Sequence, residues 1–166
     1  MSLKEQIIDS LPGLKGFASQ VPTTVAWASD GATVEVDFTA VETLGCAFRE
    51  LRVVAAELRE KSFESLNALA GQICRKVNYL LEPIGPLELD SDSQQILVRS
   101  SPPAKTGKQT AYYEMRIAAP GSLCLRRYTR DERNAEAQLC DIAVTQEVLL
   151  RLVDDMLAAI PAPVAE

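Results

Sequence analysis

Val34, Val36 and Phe38 alternate with Glu35, Asp37 and Thr39. That two-residue period predicts a strand with one buried and one wet face. Asp30-Gly31 precedes it and supplies the positive φ of a tight turn, so 23–28 and 32–39 read as a hairpin. Over 44–58 two patterns compete. Leu44, Phe48, Leu51, Ala55 and Leu58 fit a helical stripe, whereas Cys46, Phe48, Leu51 and Val53-Val54 fit a strand with a bulge. Strand is preferred for 46–54, because two strands closely precede it and a clear helix start soon follows.

Three segments carry the helical period. Residues 2–17 open on Ser2 and Glu5, a capping box, and repeat Leu3, Ile7, Leu11 and Leu14. A break or a second short turn is expected near Pro12. Residues 63–81 follow the N-cap Ser62 and carry Phe63, Leu66, Ala70, Ile73, Val77 and Leu80, widened by Leu69 and Leu81, until Pro83. A stripe that wide suits a buried helix or a dimer interface. Residues 146–160, capped by Thr145, carry Val148, Leu149, Leu152, Val153, Met156 and Ile160. Pro161 and Pro163 close it, leaving 161–166 as a loose tail.

Between the second and third helices the period returns to two. Residues 86–90 and 94–100 predict strands, 101–108 a loop, and 131–141 a polar connection. Residues 110–118 and 122–130 form a hairpin around Pro120-Gly121. Burial selects its register. With 118 opposite 122, 116 opposite 124, 114 opposite 126 and 112 opposite 128, the residues Tyr113, Met115, Ile117, Leu123 and Leu125 share one face. A one-residue slip would mix them with Arg126 and Tyr128. The predicted fold class is therefore α+β, an antiparallel sheet of hairpins packed against helices. The order is α-β-β-β-α-β-β-β-β-α, in a single domain over 1–160.

Composition removes more functions than it suggests. The 166 residues are 47% hydrophobic and 24% charged, which fits a packed domain. No apolar run approaches the ~18 residues that span a bilayer, and Met1–Gln6 lacks the features of a signal peptide. The expected location is cytoplasmic, without a membrane partner. Cys46, Cys74, Cys124 and Cys140 contain no C-x-x-C pair and read as buried free thiols. Histidine is absent, which excludes Ser-His and Cys-His nucleophile pairs and His-ligated zinc. Asp90-x-Asp92-x-Gln94 lacks the glycine and distal glutamate of a calcium loop. No catalytic residue, metal centre or cofactor is predicted, and a non-enzymatic protein is expected.

Charge is unevenly spread. The formal net charge is −6, yet residues 97–133 hold eight basic and three acidic side chains. An acidic chain with one basic region is not expected to bind nucleic acid. It can steer a local anionic partner. The hairpin register places Tyr112, Glu114, Arg116, Cys124, Arg126, Tyr128 and Arg130 on its far face, with Arg99 joining from the preceding strand. Guanidinium forks suit carboxylate or phosphate, and tyrosine rings offer stacking surface. A small anion or an acidic peptide segment is the matching ligand. The alternative is a solvated face held by cross-strand pairs such as Glu114 with Arg126.

The element order, small size and acidic character resemble the secretion-chaperone-like fold. About four strands stand here where that fold has two between its last helices. The resemblance implies a homodimer that binds extended segments of partner proteins. No motif carries it, so it transfers no site residue. The expected function is a protein-interaction or chaperone-like module, with a small-anion-binding domain as the alternative.

Overall fold

The computed structural model describes residues 1–29, 31–59, 61–81, 84–90, 95–100, 104–118, 121–133 and 136–161. The turn positions Asp30, 91–94 and Pro120, the predicted stop at Pro83 and the tail beyond Pro161 lie outside them.

The first helix, α1 (Leu3–Leu14), opens on the predicted capping box. The Ser2 hydroxyl accepts from the Glu5 amide, and the Glu5 carboxylate accepts from the Ser2 amide. Leu3, Ile7 and Leu11 are its buried face. The expected break at Pro12 does not occur; the helix carries Pro12 in its last turn and ends at Leu14. A proline this close to the end costs one helical hydrogen bond and leaves little helix to kink. Gly16, at φ 91, then turns the chain into the sheet.

Strands β1 (Ala18–Ser29), β2 (Ala32–Val41) and β3 (Gly45–Ala55) form an antiparallel meander. β1 starts at Ala18 rather than at 23, with a register shift between Ala18 and Thr23. The strand reading of 46–54 holds. The bulge is visible in the pairing: Val36 faces Leu51, but Phe38 faces Phe48. One extra residue lies on β3 at that point. Hydrophobic alternation therefore changes phase, from Cys46 and Phe48 to Leu51, Val53 and Ala55, all buried.

A 3-10 turn, Ala56–Leu58, leads to α2 (Phe63–Lys76), whose N-cap is Ser62. This helix stops at Lys76, short of the predicted 81. Val77 leaves helical geometry at φ −87, ψ 77. Tyr79 then reaches the third helix, α3 (Gln146–Ala159), where its hydroxyl donates to Asp155 at 2.7 Å and Arg151 lies 4.0 Å above its ring. Val77 is buried and Leu80 half-buried without being helical, and Leu81 is exposed. Reading them as helix made the stripe look wide. The helix itself buries Leu66, Leu69, Ala70 and Ile73 and leaves Asn67, Ala68, Arg75 and Lys76 outside.

Seven strands, not four, separate α2 from α3 among the described residues: β4 (Ile84–Asp90), β5 (Gln95–Ser100), β6 (Ala104–Thr106), β7 (Gln109–Ala118), β8 (Ser122–Asp131), β9 (Gln138–Cys140) and β10 (Ile142–Thr145). β6 falls in the predicted loop, β9 in the predicted polar connection, and β10 just after it. Elements of three or four residues are too short to show a period. The path of the sheet is β1-β2-β3-β8-β7-β5-β4, with β6 on β7, β9 on β8 and β10 on β3. β8 pairs with β3 only over Leu51–Val54. β9 follows β8 at Arg127–Thr129, and β10 follows β3 at Gly45–Phe48. Residues 138–145 thus fill the gap where β3 and β8 part.

The three helices among the described residues all cover one face. Ile7, Leu66, Ile73, Leu149, Leu152 and Met156 meet Val36, Phe38, Leu51, Ile96, Met115 and Leu125 in one buried cluster. No helix among the described residues is long and apolar enough to cross a membrane. Among the described residues the opposite face of the sheet carries no helix, and there the predicted side chains lie.

Candidate functional site

The β7–β8 register is the one that burial selects. Tyr112 faces Tyr128, Glu114 faces Arg126, Arg116 faces Cys124, and Ala118 faces Ser122. Tyr113, Met115, Ile117, Leu123 and Leu125 are buried under the helices. Their strand neighbours necessarily point the other way. Arg99 on β5 faces Glu114 and completes the group. Arg130 lies at the exposed end of β8, opposite Thr110, beyond the cluster.

Two ion-paired groups share this outer face. In the first, the Arg99 Nε donates to Glu114 Oε2 at 3.1 Å, and Arg116 lies 3.7 Å from Glu114 Oε1. The Arg99 guanidinium also sits 5.6 Å over the Tyr112 ring, which stacks on Tyr128 at 5.7 Å and 25°. In the second, Arg126 donates to Glu50 at 2.6 and 2.8 Å and to the Tyr128 hydroxyl at 3.4 Å. Arg52 donates to Glu50 at 2.5 Å and pairs with Glu35. The expected cross-strand partner of Arg126 was Glu114. Arg126 instead turns sideways to β3, and Glu114 turns to Arg99.

Glu50, Arg52 and Glu35 were not among the predicted site residues. Glu50 is 5% exposed, and the bulge explains its place. In an unbroken alternation from Phe48 it would point into the core. The extra residue rotates it onto the wet face beside Arg52. The phase change between Phe48 and Leu51 is the sequence signal that could have found it.

The electrostatics are those of a fixed network. Arg126 is held above its ordinary value by its hydrogen bond to Tyr128, then by Glu50, against the opposing effect of burial. For Arg52, burial pulls downward but is outweighed by the hydrogen bond to Glu35 and the Glu50 charge. Burial, then the Glu50 charge, push the Cys124 thiol up. Burial alone pushes Cys46 up to about 12, and it raises Cys74 as well. None of these three is a ready thiolate. Among the described residues no group of histidine, cysteine, aspartate and glutamate side chains could hold a metal.

Glu114, Arg116, Cys124, Arg126 and Tyr128 surround a cavity of about 60 Å³. That is far below the ~300 Å³ at which metabolite pockets begin. Two larger open depressions, of about 510 and 500 Å³, adjoin at the β2–β3 turn. Ala40, Ala47 and Ala143 line the first, and Lys15, Glu42 and Leu44 the second. None of the predicted site residues borders either.

No family model, no characterised protein and no solved structure matches this chain. The functional reading therefore rests on the geometry of the outer face.

Proposed function

We propose that this chain is a protein-interaction module whose helix-free sheet face receives an acidic, extended segment of a partner protein. The observation that carries this reading is the pairing state of the arginines. Arg126 and Arg52 are closed on Glu50 and Glu35, and Arg99 on Glu114. A small anion would have to break these pairs inside a 60 Å³ space beside the carboxylate of Glu114. A chain laid across the face asks for less. It can meet the exposed sides of Arg116 and Arg130 and the edge of the tyrosine stack while the network stays closed. Four arginines stand here on three carboxylates, so the local balance favours a negative partner.

Selection from a random peptide library tests this directly. Acidic peptides with an aromatic residue should be enriched, and they should bind an Arg116→Glu, Tyr128→Ala variant at least tenfold more weakly. Peptides that bind both proteins equally would refute the assignment of the face. Phosphate, citrate and nucleotides should leave the melting temperature unchanged at millimolar concentration. A shift that disappears in Arg126→Ala would restore the small-anion reading.

A further inference from the structure

β1 is a terminal strand of the sheet, and among the described residues no strand pairs with its outer edge. Exposed strand edges are templates for pairing, and proteins usually blunt them with charge, proline or a bulge. Here the bulge and the proline are confined to one end. The register shift and Pro22 lie between Ala18 and Thr23. From Thr23 to Ser29 pairing with β2 is unbroken, and Thr23, Thr24, Ala26 and Ala28 are exposed. No charged residue occurs anywhere from Gly16 to Ser29, although charged residues make up 24% of the chain. A strand can pair antiparallel with its own copy only if like charges do not meet. This edge meets that condition along its whole length.

We infer that a second copy of this chain docks on β1, with the two β1 strands antiparallel about a two-fold axis at Ala26. The backbone selects this register. The Gln6 side-chain Nε2 donates to the Ala28 carbonyl at 3.0 Å, so that carbonyl points away from β2. By strand alternation the amides and carbonyls of Thr24, Ala26 and Ala28 all face the open edge. Placing Ala26 opposite the partner's Ala26 puts Thr24 opposite the partner's Ala28. It forms about six backbone hydrogen bonds. The side chains then match. Val25 meets the partner's Trp27, a β-branched and aromatic pair, and Thr23 meets the partner's Ser29, a hydroxyl pair. The partner's Thr24 amide takes the Gln6 position on the Ala28 carbonyl. The result is one continuous sheet with both outer faces on the same side. This deepens the interaction-module reading, naming its partner as a second copy, but it uses a surface separate from the Arg–Tyr face.

Light scattering on the full chain at high micromolar concentration should give twice the 18.1 kDa chain mass. Ala26→Lys and Ala26→Glu each place like charges face to face on the axis, and each should be monomeric. Because Ala26 is exposed, both should keep the native unfolding transition followed by Trp27 fluorescence. Mixing the two variants should restore a dimer of mixed composition. Amide exchange at Thr24, Ala26 and Ala28 should be slow in the wild type and at least tenfold faster in Ala26→Lys. A monomeric wild type overturns the proposal, as do folded variants that still dimerise or a mixture that stays monomeric. If a variant unfolds, the exchange pattern of the wild type decides: fast exchange at those three amides overturns the register. Peptide binding by the Ala26→Lys monomer reports on the Arg–Tyr face alone, so either idea can fail without the other.

Discussion

Glu50 has each carboxylate oxygen held by a different arginine, Oε1 by Arg52 and Oε2 by Arg126. Its removal takes the carboxylate from Arg126 and leaves Arg52 with Glu35 alone, on a half-covered face. Breaking a fully buried pair costs about 3–5 kcal/mol. Arg126 is 42% exposed, and solvent screening reduces the cost, so Glu50→Ala should destabilise by about 2 kcal/mol in urea titration. Arg116→Ala, at a side chain 56% exposed, should change stability by less than about 0.5 kcal/mol. Cys46 gives a pH signature. Its folded value of about 12, against 9.0, favours the neutral thiol in the native state. That contribution is complete below about pH 9 and is lost as pH rises, by about 1.4 kcal/mol per unit until about 12. Tyr79 acts in the same direction, since burial and then its hydrogen bond to Asp155 raise its phenol. Denaturation midpoints should therefore fall between pH 8 and 10.5. A Cys46→Ala, Tyr79→Phe variant should flatten the fall.

At the scale of elements, the β7–β8 hairpin was legible because its two faces differ so sharply in polarity. One slip would bury Arg126, and no tertiary knowledge is needed to see that. Its junction with β3 was not legible. Gly121 sits at φ +120, where an added Cβ would lie 2.9 Å from the Ala55 carbonyl. The Ala55 amide also donates to the Gly121 carbonyl at 3.1 Å. Gly121→Ala should therefore cost at least about 2 kcal/mol, through both strain and collision. An alanine melting within a degree or two of wild type would show that the junction yields. The end of α2 carries a similar lesson. Val77 and Leu80 keep the helical period, but the chain leaves helical geometry at Val77 and carries Tyr79 to Asp155 and Arg151.

At the scale of the molecule, one sheet runs under all three helices. α3 touches α1, α2 and β3 and closes the layer at its centre. Trp27 lies near one edge of that sheet, beside α1, where its indole donates to Ser10 at 2.9 Å. If the two ends of the sheet melt together, Trp27 fluorescence and far-ultraviolet circular dichroism should give coincident urea midpoints. Separate midpoints would show that the β1 end around Trp27 unfolds independently of the rest of the sheet.

The sequence by itself determined the class, the first three strands apart from the start of β1, the starts of the three described helices and the hairpin register. Each of these depends on a local period, a cap or a burial contrast that neighbouring residues carry. Tertiary structure decided the rest. The strands β6, β9 and β10 exist because longer strands leave edges to satisfy, not because three or four residues prefer to be extended. Arg126 chooses Glu50 over Glu114 because β3 happens to lie beside β8 there, a fact no alternation within one hairpin contains. The bulge shows the boundary between the two. Its phase change is written in Phe48 and Leu51, but its effect, a carboxylate set between two arginines, follows only when three strands meet.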